Sequence, residues 1–431
     1  MVTIYRATPR RNPPRSRLVR LASSFACVFA AAMILGSDPR SAPTEGTSVG
    51  GGQIVELQNS GPGTVCSASM PYVSSGDPRF YMCFLSDPGQ QLAPPKKTHQ
   101  VTDPQATTCS EGSQIQPENS PAPNELGKIM IVMYHDIQSE EKEWVRSREN
   151  FRNDLERFYR EGFVLIRLSS YLRGEIDVPA GKTPLILTFD DATPGQFRFI
   201  EKEGQLVPDP GCAVGILLDF YAKHPDFGCA ATFFIDFPAP FGVASQAGAK
   251  LKFLLENGME IGNHTYNHRN LRESSPEQIA EELGKLAKTV KDMCGYEVCS
   301  LALPYGGYPR YREVLASGVW EGSEYRNLGV LLVGAEPAPS PFSRNFKPLA
   351  IPRIRGSDEE LSKWLAYFAR NPSAKFVSDG EPDVITVPRS EENNLDPDRV
   401  GARAVLSYEK VPGYGQSVPA GISPISMSTG S

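Results

Sequence analysis

Two short runs hold the side chains best suited to chemistry. In Leu185-Ile186-Leu187-Thr188-Phe189-Asp190-Asp191 an apolar stretch ends abruptly on adjacent carboxylates. In Gly262-Asn263-His264-Thr265-Tyr266-Asn267-His268 two of the chain's five histidines stand four residues apart. One carboxylate of such a pair can hold a metal while its neighbour takes a proton. Two imidazoles at i and i+4 on a helical turn point the same way and can reach one ion. Two histidines and a carboxylate, with positions left open for water and substrate, make a catalytic metal site. Such an ion acidifies water and polarises a carbonyl oxygen, which suits hydrolysis of an amide or ester. Taken singly, the Asp pair also reads as a turn or helix cap and the His pair as a surface turn. Both follow apolar strands, which is where parallel α/β folds gather their active sites.

The surrounding sequence supplies such strands. Apolar runs at Lys128–Ile137, Phe163–Leu168, Leu185–Phe189, Ala231–Ile235, Glu260–Gly262, Val298–Leu303 and Gly329–Val333 read as strands. Between them, Arg148–Arg160, Ala213–Lys223 and Ala247–Glu256 have helical spacing. Ser275-Pro276-Glu277-Gln278 is a helix start, with Ser as cap, Pro in the first turn and Gln placed to reach back, and that helix runs to about Cys294. A last helix begins at Ser357 with Glu360 in the capping-box position and ends before Pro372. Strands alternating with helices predict a parallel α/β sheet, and periodicity alone leaves open whether it closes into a barrel.

The flanks differ in composition. Residues 1–36 combine an Arg-rich start lacking acidic residues with the apolar run Leu21–Leu35, the pattern of a secretory signal or an N-terminal membrane anchor. That predicts an exported protein, extracellular, periplasmic or held at the cell envelope. Cys27 lies inside this run and reads as a bystander. Residues 37–125 are rich in Pro, Gly, Ser and Thr, and read as a low-complexity spacer with one small element around Val65–Phe84. The catalytic domain is expected over 126–372, followed by an irregular C-terminal tail over 373–431. Seven cysteines follow Cys27 (Cys66, Cys83, Cys109, Cys212, Cys229, Cys294 and Cys299), and an oxidising compartment would pair some of them, with Cys294–Cys299 and Cys212–Cys229 as candidates. A net charge of −6 gives no support to a nucleic-acid partner.

Thr188–Asp191 (TFDD), His264–His268 (HTYNH) and Leu303–Gly306 (LPYG) together resemble the motifs of the polysaccharide deacetylase family, the NodB homology domain of carbohydrate esterase family 4. Met133–Ile137 (MYHDI), Ala231–Phe234 (ATFF) and Ile351–Gly356 (IPRIRG) extend the match in order and spacing, so that it covers about residues 128–372. The resemblance implies an α/β fold, a distorted (β/α)7 TIM-like barrel, here with a long irregular N-terminal extension. It implies Asp190 as general base, and Asp191, His264 and His268 as ligands of Zn2+ or another divalent cation such as Co2+, Ni2+ or Mn2+. The backbone N–H of Tyr305 would help hold the tetrahedral oxyanion. The substrate would be an N-acetylated polysaccharide or oligosaccharide.

Several positions depart from the family pattern. The Arg expected two residues before Pro304 is Ala302, and Arg353 is the candidate to orient Asp190 instead, with a purely structural ion pair as the alternative. No His follows His268, so the usual late general acid is missing. The branch that deacetylates poly-N-acetylglucosamine uses the His of an early Tyr-His pair, which makes His135 either the acid for the leaving amine or a residue that shapes the pocket. The stretch between Asp191 and Ala231 is enlarged and predicts an inserted loop at Gly204–Gly215 near the mouth of the site. Two other functions fit the same residues: a catalytically lapsed glycan-binding relative, and an O-acetyl esterase or cell-wall amidase using the same centre.

Overall fold

The computed structural model describes residues 121–409. The expected signal or anchor over residues 1–36, most of the expected spacer over 37–125, and the cysteines Cys27, Cys66, Cys83 and Cys109 lie outside the described residues.

Seven parallel strands close on themselves: β1 Met130–Tyr134, β2 Thr183–Phe189, β3 Thr232–Ile235, β4 Glu260–Asn263, β5 Ser300–Ala302, β6 Gly329–Ala335 and β7 Ile351–Arg355. Each pairs with the next around the ring, and β7 returns to β1 through Val132↔Ile354 and Met133↔Arg355 while β1 pairs β2 over Met130↔Leu185 to Tyr134↔Phe189. The ring is a (β/α)7 barrel, and it is distorted at one place. The far side of β2 is shared, with Phe163–Leu165 pairing its first half and β3 pairing only Thr188 and Phe189.

Alternation along the strands sorts the core into two layers. Met130, Val132, Leu185, Leu187 and Phe233 pack outward against helices α1 Arg148–Arg160, α2 Ala213–Lys223, α3 Ala247–Glu256 and α5 Asp358–Arg370. Ile131, Ile186, Phe234, Leu331 and Ile351 fill the barrel interior. Helix α4, Pro276–Cys294, starts on the expected capping box, with the Ser275 side chain accepting from the Gln278 amide while Gln278 accepts from the Ser275 amide.

Three local expectations are corrected. Residues from 373 onward are not an irregular tail throughout. Val384–Pro388 and Ala404–Tyr408 form a parallel two-stranded sheet, and Phe376, Ile385, Val387, Leu395 and Val400 are buried with the interior layer beside Ile129. This segment closes the barrel floor, where Lys128 donates its amide to Ala374. Its many Pro and Ser residues conceal the short alternation of apolar positions in Val384–Val387. The enlarged stretch after Asp191 is not a plain loop either, because Phe199–Lys202 and Gln205–Pro208 form an antiparallel hairpin turned by Glu203 and Gly204, both at positive φ. Finally, Cys212, Cys229, Cys294 and Cys299 are all free thiols. Cys212 caps the start of α2, a helix about 16 Å long at ~1.5 Å per residue, and Cys229 lies beyond its other end. Cys294 ends α4 with its thiol on the Val290 carbonyl, and the left-handed Gly295 turns the chain away from it.

Candidate active site

The carboxyl ends of β2, β4, β5 and β7 meet at one place. β2 delivers Asp190 and Asp191. Asp190 is buried, and both its oxygens accept from one guanidinium: Arg353 Nη1 donates to Oδ1 and Nη2 to Oδ2, each at 2.7 Å. Arg353 comes from the middle of β7, is fully buried in the barrel interior, and is fixed by two further bonds, Nε to the Leu332 carbonyl and Nη1 to Thr188 Oγ1. Its guanidinium also lies over the Phe234 ring. Burial pushes the Asp190 carboxyl up, and the Arg353 charge outweighs it, so this carboxyl lies below the usual range.

Asp191 takes a left-handed backbone (φ 75), which swings its side chain away from that of its neighbour. Its Oδ1 lies 3.1 Å from Nε2 of His264 and 3.1 Å from Nε2 of His268. The three ligand atoms lie within 4.8 Å of one another. Burial raises this carboxyl too, and the two imidazoles overcompensate and hold it well below the usual range.

The two histidines do not reach this point along a helix. The segment after β4 is a turn in which Thr265 (φ 60) and His268 (φ 51) are left-handed, and it is held from behind by α4. Glu282, buried on α4, accepts from the Asn267 amide and from its Nδ2, and the Tyr266 amide donates to the Glu282 carbonyl. The convergence is therefore built by strain and by Glu282, rather than by helical periodicity.

Hydrogen bonds on the far side of each ring set the tautomers. His264 Nδ1–H donates to the Ala302 carbonyl at 2.9 Å, and His268 Nδ1 lies 3.0 Å from the Tyr305 hydroxyl. The Nε2 of His264 is then a lone pair facing a carboxylate oxygen at 3.1 Å, an arrangement that repels unless a proton or a cation lies between. In chemistry and orientation, Asp191, His264 and His268 fit a small divalent cation of the zinc type.

The remaining expected residues sit around this cluster. His135 follows β1, is half-buried, and is electrostatically coupled to Asp190, Asp191, Arg353 and His264, with burial pushing its imidazole down. Tyr305 is 69% exposed at the rim, in a left-handed turn (φ 56) next to His268. Of the nine non-glycine residues with positive φ among the described residues, five lie here: Asp191, Ala192, Thr265, His268 and Tyr305. Strain concentrated in this way marks a functional site.

Three residues of the site have no signal in the sequence. Gln196, fully buried, donates through Nε2 to the backbone carbonyls of both His135 and Asp190 and so ties two strand ends together. Glu282 holds the histidine turn. Asp236, just beyond β3, is a third carboxylate close enough to feel His264, His268 and Asp191, and burial raises it. Gln196 reaches back to His135 across 61 residues, Glu282 to the histidine turn across 15, and Asp236 is tied in through charge, none of which a local motif records.

A polysaccharide deacetylase family model matches residues 177–317, the stretch that carries the Asp pair and both histidines. No curated protein matches the chain. Among solved structures, the Streptococcus pyogenes deacetylase PplD, in complex with acetate, is 20% identical, with 56% of this chain and 98% of that one covered and a TM-score of 0.39. IcaB from Ammonifex degensii is 16% identical over 55% of this chain and 97% of its own, also with a TM-score of 0.39. The polysaccharide deacetylase BC0361 from Bacillus cereus is 17% identical, covering 55% and 68%, with a TM-score of 0.39. The site just described thus lies in a stretch, residues 177–317, that is similar to the polysaccharide deacetylase family.

Proposed function

We propose that the protein removes acetyl groups from the amino sugars of a polysaccharide, in the manner of the poly-N-acetylglucosamine branch of the family, with Asp191, His264 and His268 holding Zn2+ or a similar divalent cation. The observation that carries this reading is the side-by-side arrangement of two differently employed aspartates. Asp191 faces two imidazoles, while the Asp190 side chain accepts its hydrogen bonds from the Arg353 guanidinium. When bound, the ion supplies Lewis acidity, acidifying water and polarising the acetyl carbonyl.

The chain's own residues do the rest. Asp190, locked in one orientation by the two-point contact with Arg353, receives the proton of the attacking water. Because the guanidinium lowers its affinity, it holds that proton only transiently. The Tyr305 amide, at a strained rim turn, faces the oxygen on which charge grows. As the C–N bond breaks, His135 gives a proton to the departing amine, leaving acetate and a free amino sugar. Burial, which lowers the His135 imidazole, makes its protonated form a readier donor. Gln196 keeps base and acid in register. The leader sequence supports export, and the acidic overall charge suits a neutral glycan better than a nucleic acid.

The lapsed-relative alternative draws on the missing Arg at Ala302 and the missing late His. The contact of Arg353 with Asp190 and the nearness of His135 to the centre support the enzyme reading. The test is acetate release from N-acetylglucosamine oligomers by protein loaded with Zn2+ or Co2+, with and without a chelator. Chelator-sensitive release is expected. Stoichiometric metal binding with no turnover of any acetylated glycan would favour the binding protein, and turnover of acetylated xylan alone would favour the O-acetyl esterase.

A further inference from the structure

On the β1–β7 side of the centre two hollows open at the barrel mouth. One is lined by His135, Glu141, Trp144, Arg355 and Ser357 among others. The second, about 330 Å³ and therefore within the range of small-ligand sites (roughly 300 Å³ upward), is lined by Gly334, Ala335, Arg355, Ser357, Glu359 and Lys363 among others. Arg355 and Ser357 belong to both, so the two are one groove leading from His135 across the end of β7 to the end of β6.

Arg355 has a particular place in it. It lies two residues after Arg353 on the same strand, so both side chains leave the same face, one beneath Asp190 and the other a step of about 6.6 Å nearer the rim. Its guanidinium lies 4.2 Å over the Trp144 indole. Among the described residues it makes no ion pair or hydrogen bond to a protein acceptor. A half-buried guanidinium without acceptors keeps its planar fork of donors for solvent or for ligand oxygens.

Trp144 is 44% exposed, and its ring is 4.7 Å from that of His135. It is presented by a pinned segment. Glu141 accepts from Arg146 Nη1 at 2.9 Å, from the Ser147 amide at 2.7 Å and from Asn150 Nδ2 at 2.9 Å, which fixes the chain just before Trp144 to the start of α1. A large aromatic held open to solvent on a fixed backbone, beside unpaired donors and next to the reacting groups, suits a pyranose. The indole takes its C–H groups, and the guanidinium takes hydroxyl or acyl oxygens.

We propose that this groove binds the sugar adjacent to the one being deacetylated, through Trp144 and Arg355, so that the enzyme selects chains over single sugars. The proposal rests on the deacetylase reading. Its test compares kcat/KM for the metal-loaded full chain on N-acetylglucosamine and on its β-linked di- to pentamers, using 1,4- and 1,6-linked series. The wild type should favour the pentamer over the monomer by tenfold or more. In Trp144→Ala and Arg355→Ala that ratio should fall toward one, mainly through KM, and Trp144→Phe should recover part of it. A ratio unchanged in both alanine variants, or a wild type indifferent to length, overturns the proposal. If no oligomer is turned over, the deacetylase reading fails by itself. Calorimetric titration of the same oligomers into Asp190→Asn then reads the groove alone. Binding that tightens with length, and loses this when Trp144→Ala is added, supports it; binding independent of length or of Trp144 overturns it.

Discussion

Arg353 meets Asp190 as a fully buried two-point ion pair, with both carboxylate oxygens at 2.7 Å from separate guanidinium nitrogens. The family pattern places the orienting Arg where this chain has Ala302 on β5; here the charge arrives from β7 instead. Removing one partner of such a pair leaves the other uncompensated, at a cost of about 3–5 kcal/mol. Arg353→Ala should therefore lose stability on that scale in urea unfolding and lose most of its acetate release. Arg353→Lys, which keeps the charge but offers only one point of contact, should fold better and still turn over slowly. A fully active Arg353→Ala variant would show that the pair is structural only.

The two aspartates should separate by mutation. Asp190→Asn should lower kcat by 10²-fold or more, within the range of general-base contributions, and keep its bound ion. Asp191→Asn should lose the ion as well. Metal content by elemental analysis alongside acetate release distinguishes the two, and equal metal loss in both variants would remove the division of labour.

Gln196 is expected to matter without touching substrate. Gln196→Leu leaves the carbonyls of His135 and Asp190 without their shared donor, at about 1–3 kcal/mol for an unsatisfied buried group. Thermal unfolding should shift down, and kcat should fall more than KM changes. A variant with lowered melting temperature but wild-type kcat would limit Gln196 to a structural role.

The barrel floor has its own pH dependence. Glu125 is buried against the closing segment, accepting from the Thr386 amide, and burial pushes its carboxyl up from 4.5 to about 8. Between those values the folded chain binds more protons than the unfolded one, so stability contributed by this group is full below about pH 4.5 and falls as pH rises through about 8. Glu125→Gln should flatten that fall in urea unfolding measured from pH 5 to pH 9. An unchanged slope would assign the pH dependence to other groups.

How much of this was legible in the sequence follows from the range of the interactions. Local patterns carried well: the alternation of strands and helices, the Ser275–Gln278 cap, and the ends of α1, α2 and α3 all depend on residues a few positions apart. Asp190, Asp191, His264 and His268 were visible as motifs at strand ends. The way the histidines converge was not, because the left-handed Thr265 and His268 and the brace from Glu282 replace the helical turn that i, i+4 spacing suggests. The closing segment around Ile385 and Val387 was hidden by its Pro-rich surroundings. Gln196 and Asp236 were invisible for a simpler reason: Gln196 matters through its bond to His135, 61 residues away, and Asp236 through the charges of Asp191, His264 and His268.

Direct measurement of the ion tests the central claim. Metal-free protein titrated with Zn2+ should take up one equivalent, regain acetate release from N-acetylglucosamine oligomers in proportion, and lose both in His264→Ala and His268→Ala. Full acetate release by metal-free protein, or undiminished Zn2+ uptake by those variants, would contradict it.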